Sequence, residues 1–160
     1  VGGIRVLAEA LKVNRTLTLL DLSSNCIGPK GARLLSEGVQ PNQTLQTLAL
    51  SSNLLVGLNE RNFGTFDASG LMALCAVVFP SEHTGYNTSL TTLDLGMNAL
   101  GAEGAKVVSA MYSQRVCIPG LQNLDLAHNR IGAEGLLDLV DGLKFGELEE
   151  DVEEKLSYLN

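Results

Sequence analysis

The sequence predicts an α/β solenoid, a right-handed horseshoe with parallel strands on its concave side and helices on its convex side. Two observations indicate this fold. A motif Leu-x-x-Leu-x-Leu-x-x-Asn occurs four times, at residues 17–25, 45–53, 90–98 and 121–129. An apolar-Gly-x-x-Gly segment follows three of the four copies, at residues 27–31, 100–104 and 131–135. One strand and one helix cannot bury their apolar faces alone, whereas stacked copies shelter one another.

The first half of each repeat is predicted to be a short strand. In the first copy, Leu20 and Leu22 alternate with polar residues, which is typical of a strand with one buried face. The motif ends on Asn25, whose amide can bond backbone groups that the following turn leaves unpaired. We therefore expect a strand and then a turn in every copy.

The second half of each repeat is predicted to be a helix. Gly28 and Gly31 allow a tight approach to it, and Pro29 suits its first position, where no N–H partner is needed. Glu103 and Glu134 fall in the first turns of later helices, where the helix dipole favours negative charge. Each predicted helix then shows apolar residues at helical spacing.

The spacing of the motifs is irregular at one place. The second interval is 45 residues, against 28 for the first, and most of the excess precedes the third helix, roughly at residues 56–66. This inserted loop carries Arg61, Phe63 and Phe66, and Asp67 after it is a candidate helix N-cap. Insertions in a solenoid often map to the binding face. The alternative is a tolerated surface elaboration, because lengthening a loop costs little.

Alternation along the strands predicts which residues face a partner on the concave side. Asp21, Asp94 and Asp125 should form an acidic column that Ala49 interrupts, and this column could receive a basic patch. A parallel column should contain the remaining candidate contacts, which are Thr47, Thr92 and Asn123. The alternative is a solvated strand face, since the face lacks Trp, Tyr and Arg, the usual anchors of tight interfaces.

Charge and hydropathy exclude some partner classes. The net charge is −7, and residues 147–155 carry six acidic residues and one lysine, which argues against nucleic acid as a partner. The longest nearly apolar run, residues 70–79, has about half the length of a membrane-spanning helix, so a buried helix is expected. A membrane partner is not expected either.

No catalytic, cofactor, metal or small-molecule site is predicted. The Gly-x-x-Gly pairs lie in neither a G-x-G-x-x-G nor a P-loop sequence. His83, in a shorter inserted loop with Tyr86, and His128 are interpreted as surface residues. The three cysteines, Cys26, Cys75 and Cys117, never form a C-x-x-C pair, which favours a reducing compartment and a cytoplasmic location.

Three sequons begin at Asn14, Asn42 and Asn87. Each precedes the first leucine of its motif by the same three residues, so a helix-to-strand turn explains them. Glycosylation is the alternative.

The repeat pattern resembles the ribonuclease-inhibitor-like subclass of leucine-rich repeats, also found in NOD-like receptors and in the activator of the Ran GTPase. Residues 7–25 are most similar to the receptor repeats. The resemblance covers nearly the whole chain and implies one leucine-rich-repeat solenoid domain, residues 1–160, that begins and ends within a repeat.

The same resemblance implies a non-enzymatic protein-interaction module, the binding or regulatory domain of a larger intracellular signalling or scaffold protein, with an unknown protein partner. One alternative is a GTPase activator that uses the asparagines at the strand ends, Asn25, Asn53, Asn98 and Asn129. The other is an architectural scaffold in a cytoskeletal or ciliary assembly.

Overall fold

The computed structural model describes residues 2–59, 61, 63–78, 87–112 and 120–147. Helices and strands alternate through this part of the chain, in the order α1 (Gly2–Val13), β1 (Leu19–Asp21), α2 (Gly28–Val39), β2 (Thr47–Ala49), α3 (Ser69–Val78), β3 (Thr92–Asp94), α4 (Gly101–Tyr112), β4 (Asn123–Asp125) and α5 (Gly132–Glu147).

The strands form one parallel sheet in the order β1-β2-β3-β4. The second leucines of the four motifs are paired in register, Leu20 with Leu48, Leu48 with Leu93 and Leu93 with Leu124. Successive helices pack on one another in the same order. We call a strand with the turn after it a rung, numbered 1 to 4. This stacking of strand–helix units confirms the predicted α/β solenoid.

The core lies between the sheet and the helices. Leu48 and Leu93 in the two inner rungs are buried, whereas Leu20 and Leu124 in the outer rungs are partly buried and pack against the core. A leucine is fully covered only where a rung has a neighbour on each side, which explains the difference.

The asparagines that end the motifs form a ladder between rungs. The Oδ1 atom of Asn53 accepts from the amide of Asn25 at 3.0 Å, that of Asn98 from the amide of Asn53 at 2.8 Å, and that of Asn129 from the amide of Asn98 at 2.8 Å. Their Nδ2 groups donate to strand carbonyls, for example from Asn98 to Leu50 at 3.0 Å. Asn53, Asn98 and Asn129 are buried, so they satisfy backbone groups that water cannot reach.

The sequon asparagines form a second ladder at the opposite ends of the strands. Nδ2 of Asn42 donates to the carbonyls of Leu11 and Asn14, at 2.8 and 3.1 Å, and Nδ2 of Asn87 donates to Val39 and Asn42. Asn42 and Asn87 are buried, with amide nitrogens that are already hydrogen-bonded. The structural interpretation of these two sequons is thereby confirmed.

The inserted segment differs in detail from the prediction. Val56 is completely buried in the core, and residues 57–59 after it are partly buried, so residue 56 belongs to the core rather than to the surface loop. The helix after the loop begins at Ser69, and Oδ1 of Asp67 accepts from the Ser69 amide at 2.9 Å. Asp67 therefore supports the start of α3, as expected of a capping residue.

Several predicted features lie outside the described residues. These are the loop with His83 and Tyr86, the cysteine at position 117, and the acidic segment beyond residue 147. Among the described residues, no helix combines the length and the apolar character that crossing a membrane requires.

Candidate functional site

The concave side of the sheet carries the two columns that alternation predicts. The strand register places Thr47, Thr92 and Asn123 side by side. It also aligns Asp21 with Ala49, Ala49 with Asp94, and Asp94 with Asp125. Asp21 and Asp125 are exposed and Asp94 is half-buried. We call Asp21, Asp94 and Asp125 the acidic column.

Each aspartate of the acidic column also holds its own turn. Oδ1 accepts from the amide two residues further on, at 2.9 Å in Asp21, 2.8 Å in Asp94 and 2.7 Å in Asp125. Hydrogen bonds from the side chain and the backbone of Ser23 lower the pKa of Asp21 below its usual value. Asp21 is therefore anionic at neutral pH. Alternation alone did not reveal that these aspartates also hold the turns.

Beyond the strands, each turn contains left-handed residues that are not glycine. The residues immediately before and after the ladder asparagine have positive φ in every rung, for example Ser24 (61°) and Cys26 (49°) around Asn25. This conformation directs the amides of Asn25 and Ile27 to the same Oδ1 atom of Asn53, at 3.0 and 3.3 Å. The buried ladder thus holds the backbone in a strained, left-handed conformation that residues other than glycine rarely adopt.

The left-handed positions form two columns at the carboxyl ends of the strands. One contains Ser24, Ser52, Met97 and His128, and the other contains Cys26, Leu54, Ala99 and Arg130. Adjacent rungs touch here, because Oγ of Ser52 lies 3.7 Å from Sδ of Met97. We call these eight residues the turn face. The leucine motif did not predict the turn face. The sequence did contain a signal for it, because the residue type varies from repeat to repeat at the positions just before and just after each ladder asparagine.

Two open cavities lie along the turn face. One, of about 290 Å³, is lined by Met97, Ala99, His128 and Arg130. The other, of about 410 Å³, is lined by Leu54 and by Asn59, Arg61 and Phe63 of the inserted loop. Leu54 and Ala99 occupy equivalent positions in neighbouring rungs, so the two cavities open on the same side of the solenoid.

Hydrogen bonds within the inserted loop fix its conformation beside this surface. Oδ1 of Asn59 accepts from the amides of Arg61 and Phe63 at 2.9 and 3.1 Å, and the Asn59 amide donates to the Phe63 carbonyl at 3.1 Å. Phe63 remains 71% exposed. The structure thus brings two predicted loop residues, Arg61 and Phe63, to the turn face, whereas Phe66 does not line the cavity.

The thiol and metal-ligating side chains of the described residues have distinct surroundings. No group of three His, Cys, Asp or Glu side chains able to hold a metal ion occurs among the described residues. Burial raises the pKa of the Cys75 thiol to about 12, which keeps it protonated and unreactive. Cys26 is exposed in the turn that follows β1, and His128 lies on the turn face.

The registered rungs, with their repeated leucines and asparagines, form an α/β solenoid of the leucine-rich-repeat type. Three segments of the chain, residues 13–36, 86–109 and 121–140, match the model described as Leucine Rich repeat. No curated protein matched the sequence.

One solved structure shares the architecture, and a second is a weaker match. The chain is similar to "Leiomodin-1 Actin-Binding Site 2 (ABS2)", with a TM-score of 0.63 and 16% identity over 99% of this chain and 79% of that one. A further match is "Structural Genomics of Caenorhabditis elegans: tropomodulin C-terminal domain", with a TM-score of 0.44 and 10% identity over 98% of each chain. At this identity, the leiomodin-1 match shows the common fold alone.

Proposed function

We propose that this chain is a protein-interaction module, the binding or regulatory domain of an intracellular signalling or scaffold protein, and that it is not an enzyme. The observation that carries the proposal is the pair of registered columns on the concave side of the sheet. Stacked rungs fix the spacing of these side chains, so a partner meets a preformed surface and loses little free energy to ordering it.

The acidic column is the proposed centre of the contact. Asp21, Asp94 and Asp125 present negative charge, so they suit a basic patch on a protein partner. Thr47, Thr92 and Asn123 supply hydrogen-bonding groups alongside. Arg61, Phe63 and Phe66 of the inserted loop extend the contact beyond the strands.

A photo-crosslinking experiment identifies the partner. A benzophenone amino acid at Asn123 should give a discrete protein adduct in cells that express the protein, whereas the same group at Glu37, exposed on α2, should not. Equal adducts at both positions, or none at Asn123, would contradict binding at the concave face.

The identified partner then allows a quantitative test by calorimetry. In the variant Asp94→Asn with Asp125→Asn, the side-chain oxygen that accepts from each turn amide remains and only the charge is lost. We expect at least about tenfold weaker binding. The matched control, Glu37→Gln, removes an exposed charge from the helical layer and should leave Kd unchanged. Equal affinity of all three proteins would refute the proposed contact.

A second candidate is a cytoskeletal scaffold that binds actin. The leiomodin-1 structure to which the chain is similar is named as an actin-binding site, and this is the observation that favours the candidate. Cosedimentation with filamentous actin, compared with the Asp94→Asn and Asp125→Asn variant, tests it directly. A chain that stays in the supernatant at all actin concentrations removes this candidate.

The GTPase-activator alternative loses its candidate residues. Asn53, Asn98 and Asn129 are buried and hydrogen-bonded to the backbone, and only Asn25 is exposed. We retain the ribonuclease-inhibitor-like subclass as a proposal, supported by a helix of ten or more residues in each repeat.

A further inference from the structure

We propose that the turn face, together with Asn59, Arg61 and Phe63, is a second docking site, which takes an extended acidic peptide segment with one apolar side chain. The inference rests on the proposed role as an interaction module. It adds a distinct surface and the chemistry of its ligand.

The two cavities provide an apolar floor. Met97 is 44% exposed and Phe63 is 71% exposed, although both are large apolar side chains. Leu54 lines one cavity and Ala99 lines the other, at equivalent positions in adjacent rungs. Because the left-handed turns and the Asn59 hydrogen bonds hold these residues in place, a ligand would gain apolar burial without ordering the surface.

Arginines border this floor. Arg61 lies in one cavity, and Arg130 lies in the other beside His128. The ion pairs formed among described residues are all on helices and involve Lys12 and Lys106, so neither arginine has a carboxylate partner there. A guanidinium group presents paired N–H donors that match a carboxylate, which makes an acidic segment the complementary ligand.

The turn face contains no carboxylate. Arg130 is one of its eight residues, and the loop beside it adds Arg61. These residues therefore carry positive charge on a chain with a net charge of −7. Two arginines are too few for a nucleic-acid surface, which requires a clustered row of cations.

The rungs also set the length of the ligand. The inserted loop belongs to rung 2 and Arg130 to rung 4, so they are separated by two strand spacings, about 10 Å. An extended peptide spans that distance in about three residues. The matching segment has two acidic residues about three positions apart, with an apolar residue between them.

Fluorescence anisotropy with designed peptides tests this site. The probes are labelled decapeptides of glycine and serine that contain one leucine between two glutamates, with the glutamates two to five positions apart. The comparison peptides carry lysines in place of the two glutamates. We expect the best glutamate peptide to bind at least tenfold tighter than the lysine peptide of the same spacing. We also expect replacement of the leucine by serine to weaken binding severalfold.

Variants of the protein locate the binding. Arg61→Glu with Arg130→Glu should reverse the preference in favour of the lysine peptide, and Phe63→Ala should weaken the glutamate peptide severalfold. Glu37→Gln, in the exposed helical layer, serves as the control and should change the affinity by less than twofold. Thermal unfolding followed by circular dichroism checks that each variant is folded.

Several results would overturn the inference. One is equal binding of glutamate and lysine peptides at every spacing, and another is unchanged binding by the folded arginine variant. Inorganic polyphosphate that competes fully while Phe63→Ala has no effect would indicate a simple anion site instead. Sedimentation showing a dimer that Phe63→Ala dissociates would assign the surface to a second copy. If the peptides fail but the concave variant still weakens the natural partner, the proposed function stands and only this inference falls.

Discussion

At the scale of single residues, the buried asparagines determine whether the rungs stay joined. Asn98 donates to the carbonyls of Leu50, Leu95 and Gly96 at 2.9 to 3.0 Å. Its Oδ1 accepts from the amides of Asn53 and Leu55 at 2.8 and 3.4 Å. One side chain thus joins its own rung to the preceding one at several points, which no apolar residue of similar volume could do.

Asn98→Ala should lower the free energy of unfolding by about 3 kcal/mol, because buried amides and carbonyls lose their partners. The matched variant Asn25→Ala removes an equivalent side chain that is exposed, where water replaces the lost partners, and should cost less than about 1 kcal/mol. Urea denaturation measures both. Equal losses would show that the ladder bonds contribute no more in the core than at the surface.

The cysteines should differ sharply in reactivity. Cys75 is buried with a pKa raised to about 12, so almost no thiolate forms at pH 8, whereas Cys26 is exposed. We expect iodoacetamide at pH 8 to modify Cys26 at least about 100-fold faster than Cys75, since the thiolate is the nucleophile. Peptide mass spectrometry at timed intervals gives both rates. Comparable rates in the folded protein would contradict the assigned burial.

At the scale of elements, close helix packing depends on glycines that the repeat pattern does not mark. A Cβ atom on Gly38 of α2 would lie 2.6 Å from Cα of Ala8 in α1, a contact with backbone that cannot move aside. A Cβ atom added to Gly70 of α3 would likewise lie 2.6 Å from Cα of Pro29 in α2. These glycines set how closely successive helices stack.

Gly38→Ala should destabilise the protein by about 1–3 kcal/mol, because the added methyl group forces α1 away from α2. Gly3→Ala in α1 is the control, since nothing lies within 4 Å of its added Cβ. That variant should be unchanged or up to about 1 kcal/mol more stable. Thermal and urea unfolding compare them, and a neutral Gly38→Ala would refute the proposed packing constraint.

At the scale of the whole molecule, protection depends on position along the stack. The inner rungs bury Leu48 and Leu93, while Val13 in α1 is 75% exposed and Leu137 in α5 is 66% exposed. Repeat proteins gain stability from contacts between neighbours, so an element with one uncovered side is held more weakly.

We therefore expect the amides of α1 and α5 to exchange faster than those of α2 and α3, by at least about tenfold. Hydrogen-exchange mass spectrometry measures this gradient. The exposed apolar side chains should also promote association as protein concentration rises, which sedimentation velocity detects. Uniform protection from Leu7 to Leu139 in a strict monomer would contradict both expectations.

The sequence by itself determined the repeat, the order of strands and helices, and the alignment of Asp21, Asp94 and Asp125. It could do so because leucine spacing and side-chain alternation are local, periodic properties of the chain. Its motifs also marked the asparagine ladder and located the inserted loop.

Only the tertiary structure decided where that loop lies and which residues accompany it. Arg61 and Phe63 line a cavity with Leu54, in a loop where the Asn59 side chain accepts from both of their amides. Met97 and Arg130 join the same surface through left-handed turns that buried asparagines hold. Such a surface gathers residues from three rungs and depends on contacts between segments far apart in sequence. No local pattern encodes contacts of that kind, so the fold was predictable and the turn face was not.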